Sequence, residues 1–148
     1  MSLAGKTSIG KKLRSLFHRE QAPSSTRTRS RAVILSEEEL EEMDPKVRKW
    51  LEEKGYRFPD KTIDITAKRL GTTSAKLLYY CKARCGIDFR SWRSRLRIED
   101  AKKQLLEEPE TSVATIARRV GYLDRSNFTR HFRELTGNTP ARWRELFG

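Results

Sequence analysis

An internal duplication in residues 60–148 is the feature that most constrains what this chain can fold into. Four positions of the first copy recur fifty residues later: Ile63, Ala67, Leu70 and Gly71 reappear as Val113, Ala117, Val120 and Gly121. Beyond the glycine the offset becomes 51, and five further positions recur: Leu77, Cys81, Gly86, Trp92 and Arg93 reappear as Phe128, Phe132, Gly137, Trp143 and Arg144. A repeated segment is one supersecondary unit used twice, so the chain is predicted to build two similar units.

Each copy predicts a short helix, a turn and a second amphipathic helix. Apolar residues at i, i+4 and i+7 mark the first helix, and a glycine that can take the left-handed conformation, Gly71 or Gly121, closes it. In the second copy, Ser112 and Asp124 are suited to N-cap the two helices. We therefore predict an all-α fold built on two helix-turn-helix subdomains.

A connecting helix is predicted between these subdomains, which we name HTH1 (about residues 62–86) and HTH2 (about residues 112–137). Residues 89–107 hold apolar side chains available for burial: Trp92, Leu96, Ala101, Leu105 and Leu106. At 1.5 Å per residue, one helix over this stretch could hold two recognition helices about 34 Å apart, which is roughly one turn of DNA.

Two segments of opposite charge precede the duplication. Residues 1–35 hold eight lysines and arginines against one acid, and their composition predicts a flexible, disordered basic arm or linker. Within this arm, residues 9–17 could instead form a short amphipathic turn suited to a membrane surface or DNA. Residues 36–59 hold eight acids against five bases and predict a short acidic helical collar packed on the main domain.

The collar carries two helix-start signals. Ser36 followed by Glu39 is a capping box. Asp44 before Pro45 predicts a second N-cap ahead of a proline at the first helical position. A short apolar face and a stop signal follow: Val47, Trp50 and Leu51, then Gly55.

The charge of the whole chain points to a polyanionic partner. The formal net charge is +12, and each lysine or arginine brought against a phosphate releases condensed counterions. Apolar runs such as residues 32–35 are far shorter than the roughly 20 residues that cross a bilayer. Cys81 and Cys85 are too few for a disulfide framework, so we expect a reducing, cytoplasmic compartment, with Cys81 in the core.

The second helix of HTH2 holds the leading candidates for DNA contacts. If Phe128, Phe132 and Leu135 form its buried side, a 100° step per residue places polar side chains opposite them. The base-reading candidates are Arg125, Ser126, Asn127, Thr129 and Arg130, and the phosphate candidates are Arg133 and His131. Because arginine can bond guanine at two atoms, we expect Arg130 to read a base. We expect His131, at the edge of the buried face, to pack or to contact a phosphate rather than to act in catalysis.

In HTH1 the same helical periodicity, with Leu77 and Cys81 on the buried side, gives weaker candidates for DNA contacts. The base-reading candidates are Ser74, Ala75, Lys76 and Tyr79, and Lys82 is a phosphate candidate. Tyr79 stands where the second copy has an arginine, and it could contact DNA or be simple surface. We therefore expect sharper hydrogen-bond readout from HTH2.

No catalytic or metal site is expected. The chain has no phosphate loop, no hydrolase elbow and no paired-carboxylate constellation. Its two cysteines and two histidines are scattered, so they would form a metal site only by coincidence of folding. We expect no enzyme activity, no cofactor and no small-molecule site in this chain.

Residues 60–148 resemble the DNA-binding domain of AraC-family bacterial transcription regulators. The second copy and the predicted connecting helix match the family's signature in order and spacing: Arg97, Ala101, Val113, Ile116-Ala117, Val120-Gly121-Tyr122, Asp124, Ser126, Phe128, Arg130, Phe132, Gly137, Thr139-Pro140, Trp143 and Arg144. The first copy departs from it at three positions. Thr66 replaces an apolar residue, Cys81 replaces a phenylalanine, and Tyr79 replaces a common arginine.

The resemblance implies a two-lobed helical domain that binds double-stranded DNA as a monomer or dimer and activates genes by recruiting RNA polymerase. Residues 1–59 are too short and too charged for the β-rich sensing domain of many family members. The chain is then either a stand-alone regulator or the C-terminal piece of a longer sensor. Its missing or N-terminal regions could dimerise it or anchor the parent in a membrane, and the linker-like residues 1–35 favour this second interpretation.

One alternative of a different class stays open at this point. The charge of +12 and the arginine-rich arm also suit a non-specific architectural or RNA-associated protein. Single-stranded RNA readers usually expose stacking aromatic side chains on a sheet, and the sequence predicts neither feature. The pattern therefore favours a regulator on double-stranded DNA, associated with the nucleoid.

Overall fold

The structure, a computed structural model, describes residues 33–148. The helical elements are α1 (Glu37–Glu52), a 3₁₀ turn (Gly55–Arg57), α2 (Ile63–Leu70), α3 (Ser74–Tyr80), a π-helical turn (Cys81–Cys85), α4 (Phe89–Glu107), α5 (Val113–Arg119), α6 (Arg125–Thr136) and α7 (Pro140–Phe147). No strand occurs in this part of the chain. The prediction of an all-α fold with two helix-turn-helix subdomains and a connecting helix is confirmed. Most of the predicted basic arm, including residues 9–17, lies outside the described residues.

Two compact units divide the described chain. Unit 1 contains residues 33–52 and 60–92, and therefore α1 and HTH1. Unit 2 contains residues 53–59 and 93–148, and therefore HTH2 and α7. The predicted acidic collar is accordingly divided, since its helix belongs to unit 1 and its last seven residues belong to unit 2.

The core of unit 1 is aromatic and includes α1. The rings of Trp50 and Trp92 lie 5.5 Å apart, and Phe89 packs against both. Apolar residues of α1 and HTH1 are also buried, among them Leu40, Met43, Val47, Ala67, Leu70 and Leu77. Leu35, predicted to belong to the arm, is only 5% exposed. Helix α1 and Leu35, which lies two residues before it, are thus part of the folded domain.

The prediction of a second helix start at Asp44-Pro45 is wrong. Helix α1 is continuous, and Pro45 lies in its interior although proline removes one backbone hydrogen bond there. Asp44 is buried and accepts hydrogen bonds from the Tyr80 hydroxyl at 2.5 Å and from the Arg84 guanidinium at 3.3 Å. Tertiary contacts on both sides of Pro45 therefore override the local signal. The predicted capping box at Ser36 and Glu39 is confirmed. The Ser36 N–H donates to Glu39 Oε2 at 2.9 Å, and the Glu39 N–H donates to the Ser36 hydroxyl at 3.2 Å.

One departure from the family pattern is accommodated inside unit 1. Thr66 is almost fully buried, where an apolar residue is usual, and its hydroxyl donates to the Asp60 carboxylate at 2.9 Å. A buried hydroxyl costs stability only when it lacks such a partner. The threonine is therefore compatible with the core.

The core of unit 2 joins α4, α5 and α6. Its members are Ile98, Ala101, Leu105, Ile116, Ala117, Val120, Tyr122, Phe128 and Phe132. Two residues predicted for burial are instead 39% exposed, Leu106 and Leu135. Helical periodicity gives the direction of a side chain but not whether a neighbour lies at that level. Leu105 takes the inward position beside Leu106, and Leu135 lies in the last turn of α6.

Residues 53–59 are held in unit 2 by charged hydrogen bonds. Arg97 on α4 donates to the carbonyl oxygens of Tyr56 and Phe58 at 2.6 and 2.8 Å. Arg57 donates twice to the Asp100 carboxylate, at 2.6 and 2.8 Å. Arg97, which the family resemblance singled out, is thus a buried structural residue.

Candidate nucleic-acid interface

HTH2 is built by local signals that the sequence predicted. The Ser112 hydroxyl accepts from the Thr115 N–H at 3.1 Å and caps α5, and the Asp124 carboxylate accepts from the Ser126 N–H at 2.7 Å and caps α6. Between these helices Gly121 has a positive φ of 107°. The N-cap predictions are confirmed, and they define where the recognition helix begins.

The outward face of α6 brings most of the HTH2 candidates together. An open groove of about 610 Å³ is lined by Arg125, Ser126, Thr129, Arg130, Arg133 and Glu134. All of these are exposed except Thr129, which is half-buried, while Phe128 and Phe132 are fully buried on the opposite side. Glu134 is the groove residue that the sequence reasoning missed. Its spacing of four residues from Arg130 could have identified it.

The groove on α6 is strongly cationic. Arg125, Arg130 and Arg133 are exposed, and within residues 33–148 none of the three forms an ion pair with a carboxylate. Arg130 donates to the Asn127 side-chain oxygen at 3.2 Å, so two of the base-reading candidates contact each other. A guanidinium without a carboxylate partner can bind phosphate or guanine without first breaking an internal ion pair.

His131 lies at the edge of the same helix, half-buried, as the sequence predicted. Its Nδ1 is 2.9 Å from the Tyr122 hydroxyl, and the two rings meet edge to face. Burial, together with the neighbouring charge of Arg130, lowers the pKa of His131 below its usual value. The imidazole is therefore neutral at pH 7, and its structural partner is Tyr122.

The candidates of HTH1 are less exposed. Ala75 and Lys82 are exposed, while Ser74, Lys76 and Tyr79 are half-exposed. The Ser74 hydroxyl donates to the Asp64 carboxylate. Leu77 and Cys81 are fully buried, as predicted from their periodicity.

Carboxylates of α1 neutralise two cations of HTH1. Glu39 Oε1 lies 3.7 Å from Lys76 Nζ, and Glu37 Oε1 lies 2.8 Å from Arg84 Nη2. Arg84 also pairs with Asp44 at 3.3 Å. Sequence reasoning missed these pairs because the partners are 37 to 47 positions apart, and no periodicity links them.

Other chemistry is not indicated in the described part of the chain. Cys81 and Cys85 are buried free thiols, and burial raises the pKa of Cys81 well above its usual value, so it stays protonated. Residues 33–148 contain no group of three or more His, Cys, Asp or Glu side chains placed to hold a metal ion. None of their helices is both long enough and apolar enough to span a membrane.

Comparisons with known proteins agree with this architecture. A helix-turn-helix domain family matches residues 66–146. The arabinose operon regulatory proteins of Salmonella typhimurium (strain LT2) and Escherichia coli (strain K12) are 30% and 32% identical over 116 and 104 residues, which cover 77% and 69% of this chain. The probable transcription factor PqrA of Proteus vulgaris is 30% identical over 99 residues, which cover 67% of this chain and 80% of that protein.

Among solved structures, the C-terminal domain of AraT, a response regulator from Geobacillus stearothermophilus, matches with a TM-score of 0.61 and 28% identity. The match covers 69% of this chain and 85% of that domain. This chain spans only 41% and 35% of the lengths of the two arabinose regulators. The similarity therefore concerns their helix-turn-helix part.

Proposed function

Since the chain belongs to the AraC-type helix-turn-helix family, whose domain is a DNA-binding module of transcription regulators and not an enzyme, we propose that it binds double-stranded DNA sequence-specifically. The observation that carries the proposal is the exposed cationic groove on α6, with three arginines that form no ion pair with a carboxylate of residues 33–148. Helices α3 and α6 are proposed to enter successive major grooves.

Each candidate residue has a proposed role. Arg130 reads a guanine, and the surrounding α6 residues that contact base edges are Arg125, Ser126, Asn127 and Thr129. Those of α3 are Ser74, Ala75, Lys76 and Tyr79. Arg133, Lys82 and His131 contact phosphates, which set the register but carry no sequence information. As a neutral imidazole with Nδ1 bonded to Tyr122, His131 can donate through Nε2.

The biological setting is also a proposal, supported by family membership. We propose that the protein acts in the cytoplasm as a nucleoid-associated transcription activator that contacts RNA polymerase. Dimerisation would come from N-terminal regions or from regions absent from this chain.

The decisive experiment selects bound duplexes from a random library and compares the selected sequence with its scrambled version. We expect the selected duplex to bind at least 1000-fold more tightly at physiological salt. Its half-sites should lie about 10 base pairs apart if both recognition helices are used. Equal affinity for both duplexes would instead establish the alternative of a non-specific basic protein, for which the net charge of +12 is the supporting observation.

Arg130→Ala tests the leading residue assignment. We expect a loss of about 1–3 kcal/mol in binding free energy and a relaxed preference at one base position. Arg142→Ala is the matched control, because it removes the same charge from an exposed site on α7 where Arg142 pairs with Glu145 at 3.0 Å. Equal losses from the two variants on every sequence would contradict base reading by Arg130.

A further inference from the structure

We propose that Glu39 of α1 competes with DNA for Lys76, so that α1 restrains the contribution of HTH1 to DNA binding. The inference rests on the proposed function, since it concerns how one half of the same interface is tuned. It assigns to α1 a role beyond packing, and it makes Glu39 a determinant of affinity although it lies outside both helix-turn-helix subdomains.

The Glu39 carboxylate is fixed at both oxygens. Oε2 accepts from the Ser36 N–H at 2.9 Å, and Oε1 lies 3.7 Å from Lys76 Nζ. The backbone N–H of Ser36 and the charge of Lys76 hold the pKa of Glu39 below its usual value, so the side chain is ionised at neutral pH. The capping box thus places a permanent negative charge beside HTH1.

Lys76 occupies the part of HTH1 where that charge matters. It is the third residue of α3, and its N–H donates to the Thr73 hydroxyl that caps the helix. In a helix-turn-helix, the N-terminal residues of the recognition helix are those that enter the major groove. The equivalent residue of HTH2 is Asn127, whose amide is uncharged and therefore cannot be held by a carboxylate in an ion pair. The restraint is therefore specific to HTH1.

The competition must be modest, because the pair is solvent-exposed. The side chains of Lys76 and Glu39 are 45% and 43% accessible, so solvent and salt screen their attraction. DNA that approaches Lys76 through a base edge must displace Glu39, and its phosphates then meet that negative charge at short range. We expect this to reduce affinity about two- to fivefold at low salt and less at high salt.

The test uses the full chain with Glu39→Gln, since glutamine keeps the capping box while it removes the charge. Glu38→Gln is the matched control, because Glu38 is exposed one position earlier in the same helical turn. We expect Glu39→Gln to tighten binding of the selected duplex about two- to fivefold at low salt, and Glu38→Gln to tighten it less. Thermal unfolding of both variants verifies that the helix start is intact.

A double-mutant cycle with Lys76→Gln isolates the pair. Lys76→Gln should weaken binding more in the Glu39→Gln background than in the wild-type background. Equal effects of the two glutamate variants, or the same Lys76→Gln effect in both backgrounds, would overturn the competition. A wild-type protein that binds selected and scrambled duplexes equally would instead overturn the proposed function. The cycle can be measured on either duplex, so the two failures are distinguishable.

Discussion

The two helix-turn-helix subdomains share a pattern of positions but differ in what surrounds their recognition helices. In HTH1, Tyr80 reaches out to Asp44 on α1, and Glu39 and Glu37 pair with cations of the subdomain. In HTH2, the residue equivalent to Tyr80 is His131, which bonds Tyr122 within the same subdomain. The two subdomains thus share their helices, but they differ in the hydrogen-bond partner of this position and in the ion pairs around the recognition helix.

One supersecondary unit can therefore present two differently charged surfaces in a single chain. HTH2 presents three arginines that form no ion pair with a carboxylate of residues 33–148. They can therefore bind an anion without first breaking an internal ion pair. HTH1 has part of its charge already neutralised by α1. Substitutions at equivalent positions of the two subdomains should therefore have unequal effects.

Replacing the two equivalent turn glycines should destabilise the protein unequally. In Gly121→Ala, the new Cβ would lie 2.7 Å from the Arg57 carbonyl oxygen and 2.8 Å from Arg97 Nε, at a φ of +107°. We expect a loss of about 3–4 kcal/mol from strain and overpacking together. Gly71→Ala has the left-handed φ but nothing within 4 Å of its Cβ, so about 1–2 kcal/mol is expected.

Denaturant unfolding of both glycine variants provides the measurement. If Gly121→Ala were no worse than Gly71→Ala, the close packing around Gly121 would not constrain the fold.

Asp44→Ala should destabilise unit 1 by about 2–3 kcal/mol, because it leaves the buried Tyr80 hydroxyl without its acceptor. Arg84 would keep Glu37 as a partner, which limits the loss. Near-ultraviolet circular dichroism during denaturant unfolding measures the loss of aromatic packing, to which the Trp50–Trp92 pair of unit 1 contributes. Asp44→Asn is the control, since its amide oxygen can still accept from Tyr80, and it should cost less. An Asp44→Ala variant as stable as the wild type would show that α1 is not anchored through this residue.

Lys82→Ala should weaken DNA binding by about 1 kcal/mol at low salt, and equally for selected and scrambled duplexes. Lys82 is exposed in the π-helical turn that follows α3. A contact with a phosphate carries no sequence information, so the loss should not depend on the duplex. Titrations at several salt concentrations should show the slope of log K against log salt reduced by about one. A loss confined to the selected duplex would reassign Lys82 to base reading.

The pH dependence of stability should carry a small contribution from HTH2. Burial lowers the pKa of His131 in the folded chain, so the unfolded chain binds the proton more readily. Stability should therefore fall as the pH drops below about 7, and this contribution should level off below the folded-state pKa. Thermal unfolding of wild type and His131→Asn between pH 5 and pH 8 measures it.

The His131 variant should show a weaker pH dependence than the wild type over that range. Tyr80, the equivalent residue in HTH1, has a pKa raised by burial and by its bond to Asp44, so it contributes no titration there. Identical pH profiles for wild type and variant would contradict the assignment to His131.

Much of the fold could be predicted from local patterns. The i, i+4, i+7 spacing, the caps at Ser112 and Asp124, and the capping box at Ser36 each involve residues within one or two turns. Such signals depend on backbone geometry that neighbouring residues determine by themselves. The outward face of α6 was predictable for the same reason.

Two predictions from local patterns, at Pro45 and Leu135, were wrong. Pro45 indicated a helix start by every local rule, and the structure places it inside α1. Leu135 had the periodicity of a core residue and is exposed, because its direction is correct but no neighbour covers it. Roles in DNA contact remain predictions, since exposure allows a contact but does not demonstrate one.

Local patterns in the sequence predicted that residues 60–148 are helical, that they use one unit twice, and that the second helix of HTH2 begins after Asp124. These properties follow from short-range periodicity and from the repetition of positions fifty residues apart. The place of α1 in unit 1, and the pairing of its carboxylates with cations of HTH1, depend on tertiary packing. Such pairs join residues tens of positions apart, and their formation depends on how whole helices pack, which no local pattern encodes.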